Sequence, residues 1–141
     1  MSRSYISESL RQQIVAQCHH RCAYCLTPQN YVCGSFTIDH IVPQSRGGAT
    51  EIDNLCLACW LCNLRKGNRV SALDPLTNKR IRLFHPYQQI WIEHFEFQGQ
   101  GALIEGLSDI GRITVQMLNL NSPIRIETRK IWIAANLWPP I

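Results

Sequence analysis

The stretch IDHIVPQSRGG, residues 38–48, places Asp39 and His40 side by side in an otherwise largely apolar run. A carboxylate is costly to bury unless another group pairs with it or it binds a cation. A neutral imidazole can accept a proton near physiological pH. An isolated Asp-His pair usually lies on a protein surface, so its chemistry depends on what surrounds it.

The cysteines give a second chemical signal. The chain has seven, and four of them form two C-x2-C pairs. These are Cys22, Cys25, Cys59 and Cys62. The two-residue gap lets both sulfurs of a pair reach one ion, and four thiolates suit a tetrahedral, structural Zn²⁺. Four buried free cysteines are the alternative, but they rarely fall into two such pairs. Cys33 and Cys56 have no partner at that spacing, and we expect both to be packing residues.

Composition and charge set broad limits. The 141 residues suit one domain, and no apolar run approaches the length that crosses a bilayer. The first residues lack the basic-then-apolar pattern of a secretory signal. We therefore expect a cytoplasmic protein without membrane contact, in which the thiols stay reduced and can bind metal. The net charge of +4 only weakly favours a polyanionic partner.

Capping and breaking residues predict the elements of the N-terminal half. Ser7 is typical of a helix N-cap, and Leu10, Ile14 and Cys18 recur on one face of the following helix. Strands are predicted over residues 36–41 and 54–57, with a loop over residues 43–48 between them. A short helix is predicted over residues 63–66, closed by Gly67.

The C-terminal half is predicted to begin with a loop over residues 70–84, because Pro75 and Asn78 interrupt regular structure. Two strands follow, over residues 89–97 and 102–105, around a QGQG turn. Ser108 and Ser122-Pro123 are each predicted to begin a helix. The four tryptophans are expected to pack: Trp60 over the cysteine pairs, and Trp91, Trp132 and Trp138 in a C-terminal core.

The segment DHIVPQSRGGATEIDNLCLACWLCNLRKG resembles the HNH endonuclease family. Four features carry the resemblance, in the family's order and spacing. They are Asp39-His40 at the end of a strand, Gly47-Gly48 in the loop, Asn54-Leu55 in the next strand and Asn63 after the second cysteine pair. The last position holds Asn where many members have His, which makes this chain an H-N-N variant.

The resemblance implies an α+β fold in a single domain over residues 1–141. Residues 22–67 are expected to form a zinc-braced ββα-metal core, preceded by an N-terminal helix. Residues 68–141 are expected to form an extension with a β-hairpin and helices. This extension resembles the tail of many small bacterial, especially cyanobacterial, HNH proteins, and it can serve as a lid, a DNA-contacting element or a brace.

The same resemblance implies hydrolysis of DNA phosphodiester bonds, leaving 5′-phosphate and 3′-hydroxyl ends. His40 is the expected general base. Asp39 and Asn63 offer hard oxygen ligands and are expected to bind the catalytic Mg²⁺ or Mn²⁺. Asn54 is expected to do no chemistry and to hold the loop and the His40 ring. Neighbouring side chains of a regular strand face opposite ways, so Asp39 and His40 require a strand end or an irregularity.

Four cations flank this site and are expected to contact DNA phosphates: Arg46, Arg65, Lys66 and Arg69. Solvated surface charge is the alternative for each of them. No recognition helix is evident, so we expect little sequence preference.

Two other functions stay open. A non-catalytic, zinc-stabilised nucleic-acid-binding module needs the four cysteines and the basic residues, but not the combination of Asp39, His40 and Asn63. A protein-interaction module would instead use the aromatic C-terminal half.

Overall fold

The computed structural model describes residues 5–140. The chain divides into two compact units, Met1–Val70 and Ser71–Ile141. Both units combine helices with short antiparallel strand pairs, which is consistent with the predicted α+β class. None of the helices between residues 5 and 140 has the length and apolarity that a bilayer crossing requires.

The first unit contains two helices and one strand pair: α1 (Glu8–Gln17), β1 (Thr37–His40), β2 (Leu55–Ala58) and α2 (Trp60–Lys66). Ser7 caps α1 as predicted, its side chain accepting a hydrogen bond from the Leu10 N–H at 3.1 Å. β1 and β2 pair antiparallel, with His40 opposite Leu55. All four residues of β2 are buried. The buried strand β2 therefore supports β1, which ends at His40.

Helix α2 is longer than the sequence pattern indicated. It begins at Trp60 rather than near residue 63, because the Cys59 thiol accepts a hydrogen bond from the Cys62 N–H and caps the helix. Gly67 ends it as predicted. The predicted packing of Trp60 over the cysteines is wrong, since 66% of this residue is exposed. Cys33 is also exposed rather than packed, whereas Cys56 is fully buried.

The described part of the second unit contains seven α-helices and β-strands. They are β3 (Ser71–Asp74), β4 (Lys79–Arg82), α3 (Trp91–His94), β5 (Phe95–Gln98), β6 (Leu103–Gly106), α4 (Asp109–Met117) and α5 (Pro123–Ala134). The strands form two antiparallel pairs, β3–β4 and β5–β6. Both helices begin where the sequence predicts. The Ser108 side chain caps α4 by accepting a hydrogen bond from the Gly111 N–H, and Pro123 is the first residue of α5.

Two predictions for this half are wrong. Residues 70–84 contain the β3–β4 hairpin instead of a loop. The breaking residues lie in its turn, where the Asn78 N–H bonds the Asp74 carbonyl and the Asp74 carboxylate accepts from the Leu76 N–H. The strand predicted over residues 89–97 starts only at Phe95, because residues 91–94 form the helical turn α3.

Aromatic side chains pack together in one part of the second unit. Trp91 stacks on Phe95 and lies against Phe97, and Trp138 contacts Phe97 and Trp132. Of the three tryptophans expected in a C-terminal core, Trp138 is buried, whereas Trp91 and Trp132 are partly buried and contact other aromatic rings. Away from these rings, Ile113 and Met117 of α4 pack with Leu83, just beyond β4.

Gly111 allows α4 to approach α3 closely. A Cβ atom at this position would overlap the carbonyl oxygen of His94. We expect Gly111→Ala to destabilise the protein by about 1–3 kcal/mol through overpacking, although Ala favours an exposed helix by about 1 kcal/mol over Gly. Gln116→Ala, at an exposed position of the same helix, is the control and should change stability little. Urea unfolding midpoints measure both, and a stable Gly111→Ala protein would contradict the close approach.

Candidate active site

The four paired cysteines meet in the first unit. The sulfurs of Cys22, Cys25, Cys59 and Cys62 all lie within 4.8 Å of one another, and all four residues are buried. The first pair lies in a turn held to β2 by the hydrogen bond from the Ala23 N–H to the Leu57 carbonyl, at 2.8 Å. The second pair lies at the start of α2. The four sulfurs therefore bring the turn that follows α1 next to the start of α2.

The chemistry of this cluster calls for a cation. Burial raises the pKa of the Cys22 thiol, and hydrogen bonds with the neighbouring thiols raise it further. Burial likewise raises the pKa of Cys62. Four thiolates in so small a volume repel one another unless a cation lies between them, and tetrahedral thiolate coordination is typical of structural Zn²⁺. The cluster therefore has the donor set of a structural zinc site.

Asn54 closes the loop between β1 and β2. Its side-chain oxygen accepts a hydrogen bond from the Val42 N–H at 2.9 Å, and its amide donates to the Val42 and Ala49 carbonyls. The two loop glycines meet different needs. Gly47 has a positive φ of 86°, whereas a Cβ on Gly48 would overlap the Val42 carbonyl. Asn54 therefore bonds to the loop on both sides, and within residues 5–140 it makes no hydrogen bond to the His40 ring.

Asp39 is directed into the unit, where two groups hold its carboxylate. The Tyr24 hydroxyl donates to Oδ2 at 2.8 Å, and the Lys66 ammonium lies 3.2 Å from the same oxygen. Lys66 also donates to the His40 carbonyl at 2.9 Å. Burial raises the pKa of Asp39, while Lys66 and the Tyr24 hydroxyl oppose that rise. An ion pair with almost no solvent access thus joins β1 to the last turn of α2.

His40 faces a different environment from Asp39. Its Nε2 lies 2.9 Å from the Thr50 hydroxyl oxygen, which also accepts a hydrogen bond from Gln44. Its Nδ1 makes no hydrogen bond within residues 5–140. Burial lowers the pKa of His40 more than the Asp39 carboxylate raises it, which favours the neutral ring. In the tautomer whose Nε2–H donates to Thr50, the lone pair of Nδ1 is free to accept a proton.

One cavity brings the predicted site residues together. It has a volume of about 640 Å³, and Asp39, His40 and Asn63 all line it. Its other lining residues are Tyr5, Ile6, Thr37, Ile38, Pro43, Gln44 and Gly67. Both Asp39 and His40 border this cavity at the end of β1, where the sequence analysis requires a strand end or an irregularity.

The four flanking cations do not share one environment. Arg46, Arg65 and Arg69 are exposed. Arg46 donates to the Asn68 carbonyl at 2.6 Å, and Arg69 donates to the Arg65 carbonyl at the end of α2. Lys66 is 1% exposed and its ammonium is bound inside the unit. The prediction that Lys66 contacts DNA phosphates is therefore wrong, because its charge is directed toward Asp39.

These residues lie in a segment that a comparison with known families identifies. Residues 22–69 match the family model described as HNH endonuclease. The chain carries an HNH domain. Neither the curated proteins nor the solved structures include a significant match to this chain.

Two residues that contribute to the HNH domain, Tyr24 and Thr50, are not among the predicted site residues, and Lys66 is among them in a different role. Lys66 lies at the end of a short helix, where the sequence does not specify the direction of its side chain. Tyr24 carried a weak signal, because it lies between two cysteines that must be buried. Thr50 carried none, since only the folded loop brings its hydroxyl to His40.

We expect the purified protein to contain one Zn²⁺ per chain. Structural zinc contributes folding free energy directly, so Cys59→Ser should unfold the HNH domain or lower its stability severely. Cys18→Ser is the control, because Cys18 lies outside the cluster, where its sulfur accepts a 3.3 Å hydrogen bond from the Leu57 N–H. Elemental analysis and thermal unfolding measure the two effects. A folded preparation without zinc would contradict the assignment.

Proposed function

We propose that the HNH domain of this chain is a divalent-metal-dependent endonuclease that hydrolyses DNA phosphodiester bonds, with His40 as the general base. The observation that best supports it is the half-buried His40 ring at a cavity also lined by Asp39 and Asn63, where burial lowers the pKa of the imidazole. The proposal includes a ββα-metal core formed by β1, β2 and α2, with the four-cysteine cluster as its structural zinc site.

In this mechanism, water attacks the phosphorus atom and gives a proton to Nδ1 of His40. The bond from phosphorus to the 3′ oxygen breaks, and that oxygen takes a proton from solvent, leaving a 3′-hydroxyl and a 5′-phosphate. Thr50 acts as a positioning residue, because its hydroxyl oxygen accepts the Nε2–H and so keeps the lone pair on Nδ1. Asn54 acts through the loop that it closes.

The donor set at the cavity fits a hard divalent cation. Asp39 and Asn63 supply carboxylate and amide oxygens, which Mg²⁺ and Mn²⁺ prefer, and Mg²⁺ usually takes few protein ligands. Such an ion would neutralise charge on the phosphoryl and leaving oxygens. The Lys66 ammonium already contacts the Asp39 carboxylate. Binding of the divalent ion must therefore compete with Lys66 for that carboxylate.

Substrate binding is assigned to Arg46, Arg65 and Arg69, which are exposed and keep N–H groups beyond those bonded to backbone carbonyls. Contacts to phosphate position DNA without reading its sequence, so we expect low sequence preference.

One observation favours the second candidate, a non-catalytic, zinc-stabilised nucleic-acid-binding module. The Lys66–Asp39 pair satisfies the carboxylate without any metal ion. In that case Asp39 would only hold α2 against β1, and the basic residues alone would account for DNA binding. The variants below distinguish the two candidates.

Replacing the general base should separate chemistry from binding. We expect His40→Ala to lower the DNA cleavage rate by about a hundredfold to ten-thousandfold, because proton transfer from water loses its acceptor. DNA affinity should change little, since the cations remain. Plasmid nicking in Mg²⁺ or Mn²⁺ and gel-shift titration measure the two quantities. The variant must keep its zinc content and thermal stability.

Thr50→Val tests the positioning of His40 separately from its removal. It removes the hydroxyl that accepts the Nε2–H but preserves the side-chain shape, so we expect a smaller rate loss, about tenfold to a hundredfold. Thr50→Ser, which keeps the hydroxyl, is the matched control. If folded His40→Ala protein cuts DNA at the wild-type rate, the endonuclease proposal fails.

The role of Asp39 can be tested through stability. Lys66→Met leaves the buried carboxylate without its cation, which should cost about 3–5 kcal/mol. If Asp39 is a ligand, Mn²⁺ should raise the Tm of Lys66→Met more than that of the wild-type protein. The double variant Lys66→Met/Asp39→Asn lacks the carboxylate and is the control. An equal Mn²⁺ response in all three proteins would rule out Asp39 as a ligand and favour the binding module.

A further inference from the structure

The β3–β4 hairpin of the second unit has two chemically different faces. Ala72 and Ile81 pack against the cluster of Leu83, Ile113 and Met117. In the antiparallel register, Ser71 lies opposite Arg82 and Leu73 opposite Arg80. Directly opposed residues share a face of the sheet and alternate with their neighbours. The four residues Ser71, Leu73, Arg80 and Arg82 therefore form the outward face of the hairpin.

The cations of this hairpin have no acidic partners. Lys79, Arg80 and Arg82 are all exposed. Within residues 5–140, none of the three forms a salt bridge, and the one side-chain hydrogen bond among them runs from Arg80 to the Ser71 hydroxyl at 3.2 Å. The acidic residue of the hairpin, Asp74, is buried and paired with Arg112. The positive charge of the outward face is therefore not neutralised by any carboxylate among residues 5–140.

Other cations of the second unit are used differently. Arg112 is bound to Asp74, and Lys130 lies 3.2 Å from Glu127. Arg129 is buried and donates to the Ala102 and Leu120 carbonyls. The unit also carries acidic residues on other elements, so its surface is mixed in sign. Among residues 71–140, exposed positive charge without a carboxylate partner is concentrated on β4.

We propose that the outward face of the β3–β4 hairpin binds the phosphate backbone of nucleic acid. This inference rests on the proposed function in that DNA is the expected partner, and it adds a binding surface outside the HNH domain. Arg80 and Arg82 are separated by one residue on an extended strand, about 7 Å along the chain. Guanidinium groups bind phosphates through two parallel hydrogen bonds, and exposed arginines without acidic partners have those donors free.

The geometry favours backbone contact over base reading. The outward face holds two arginines, a serine and a leucine. Arginine can also bind the edge of guanine, but most protein–DNA hydrogen bonds go to phosphate and sugar oxygens. Phosphate contacts supply affinity that depends on salt and carry no sequence information. The hairpin therefore strengthens binding equally on unrelated sequences.

A different role for the same charges predicts a different result. Exposed strand edges are often protected from pairing with other chains by charged side chains. If Arg80 and Arg82 only prevent such pairing, neutralising them should cause self-association and leave DNA affinity unchanged. The two roles are therefore separable by measuring affinity and oligomeric state together.

The test uses the full chain in the His40→Ala background, titrated into a labelled DNA duplex of arbitrary sequence over a range of salt concentrations. Arg82→Gln is the first variant, because within residues 5–140 the Arg82 side chain forms no hydrogen bond or salt bridge. Arg80→Gln/Arg82→Gln is the second. Lys130→Gln removes the same charge as Arg82→Gln from an exposed site on α5 and is the matched control. Arg80→Lys/Arg82→Lys retains the charge.

Each lost phosphate contact should lower the salt slope by about one and weaken binding about tenfold near 0.1 M salt. We expect that loss in Arg82→Gln, roughly twice the slope change in the double Gln variant, and near wild-type slopes in Lys130→Gln and the double Lys variant. Unchanged affinity in the double Gln variant would overturn the proposal, as would an equal loss in Lys130→Gln. Self-association with unchanged affinity would also overturn it.

These outcomes are independent of the nuclease proposal. If the wild-type protein cuts DNA but the hairpin variants bind normally, only the hairpin inference fails. If the hairpin variants lose affinity but the wild-type protein never cuts DNA, the hairpin inference stands and the catalytic proposal fails.

Discussion

Asp39 and Lys66 are buried against each other, and their ion pair joins the end of β1 to the last turn of α2. Lys66 also bonds the His40 carbonyl, so the same ammonium sets the backbone at the residue proposed as the base. Removing either partner leaves an uncompensated charge in the interior, which is strongly destabilising. The direction of the Asp39 side chain is therefore decided by this pair, and strand alternation then turns His40 toward Thr50 and the cavity.

The cysteine cluster complements that ion pair at the other end of α2. Its four sulfurs join the turn after α1 to the N-terminus of α2, where the Cys59 thiol also caps the helix. A unit of this size buries a small core and commonly needs a metal or another cross-link for stability. With α2 held at both ends, Asn63 in its middle is constrained to border the cavity. Stability and the proposed chemistry thus depend on the same short helix.

Local rules predicted what depends on neighbours in the chain. Ser7 and Ser108 cap their helices because capping needs only a side-chain oxygen and the next few N–H groups. Pro75 and Asn78 break regular structure, and this pattern predicts a loop over residues 70–84. The same pattern is also compatible with the turn of a hairpin, which is where the structure places both residues. The sequence predicts that Trp60 packs over the cysteines. Its exposure is instead decided by which face of α2 is directed inward by the buried cysteines.

The sequence by itself determined the cysteine pairs, the HNH pattern over residues 22–69 and the positions of most helices and strands, because these features follow from spacing along the chain. Only the tertiary structure decided how the charges are used. Lys66 is buried on Asp39 while Arg80 and Arg82 are exposed without acidic partners, although all three are cations in short polar stretches. Charge pairing acts through space, across elements far apart in sequence, and no local pattern specifies which carboxylate a lysine will meet.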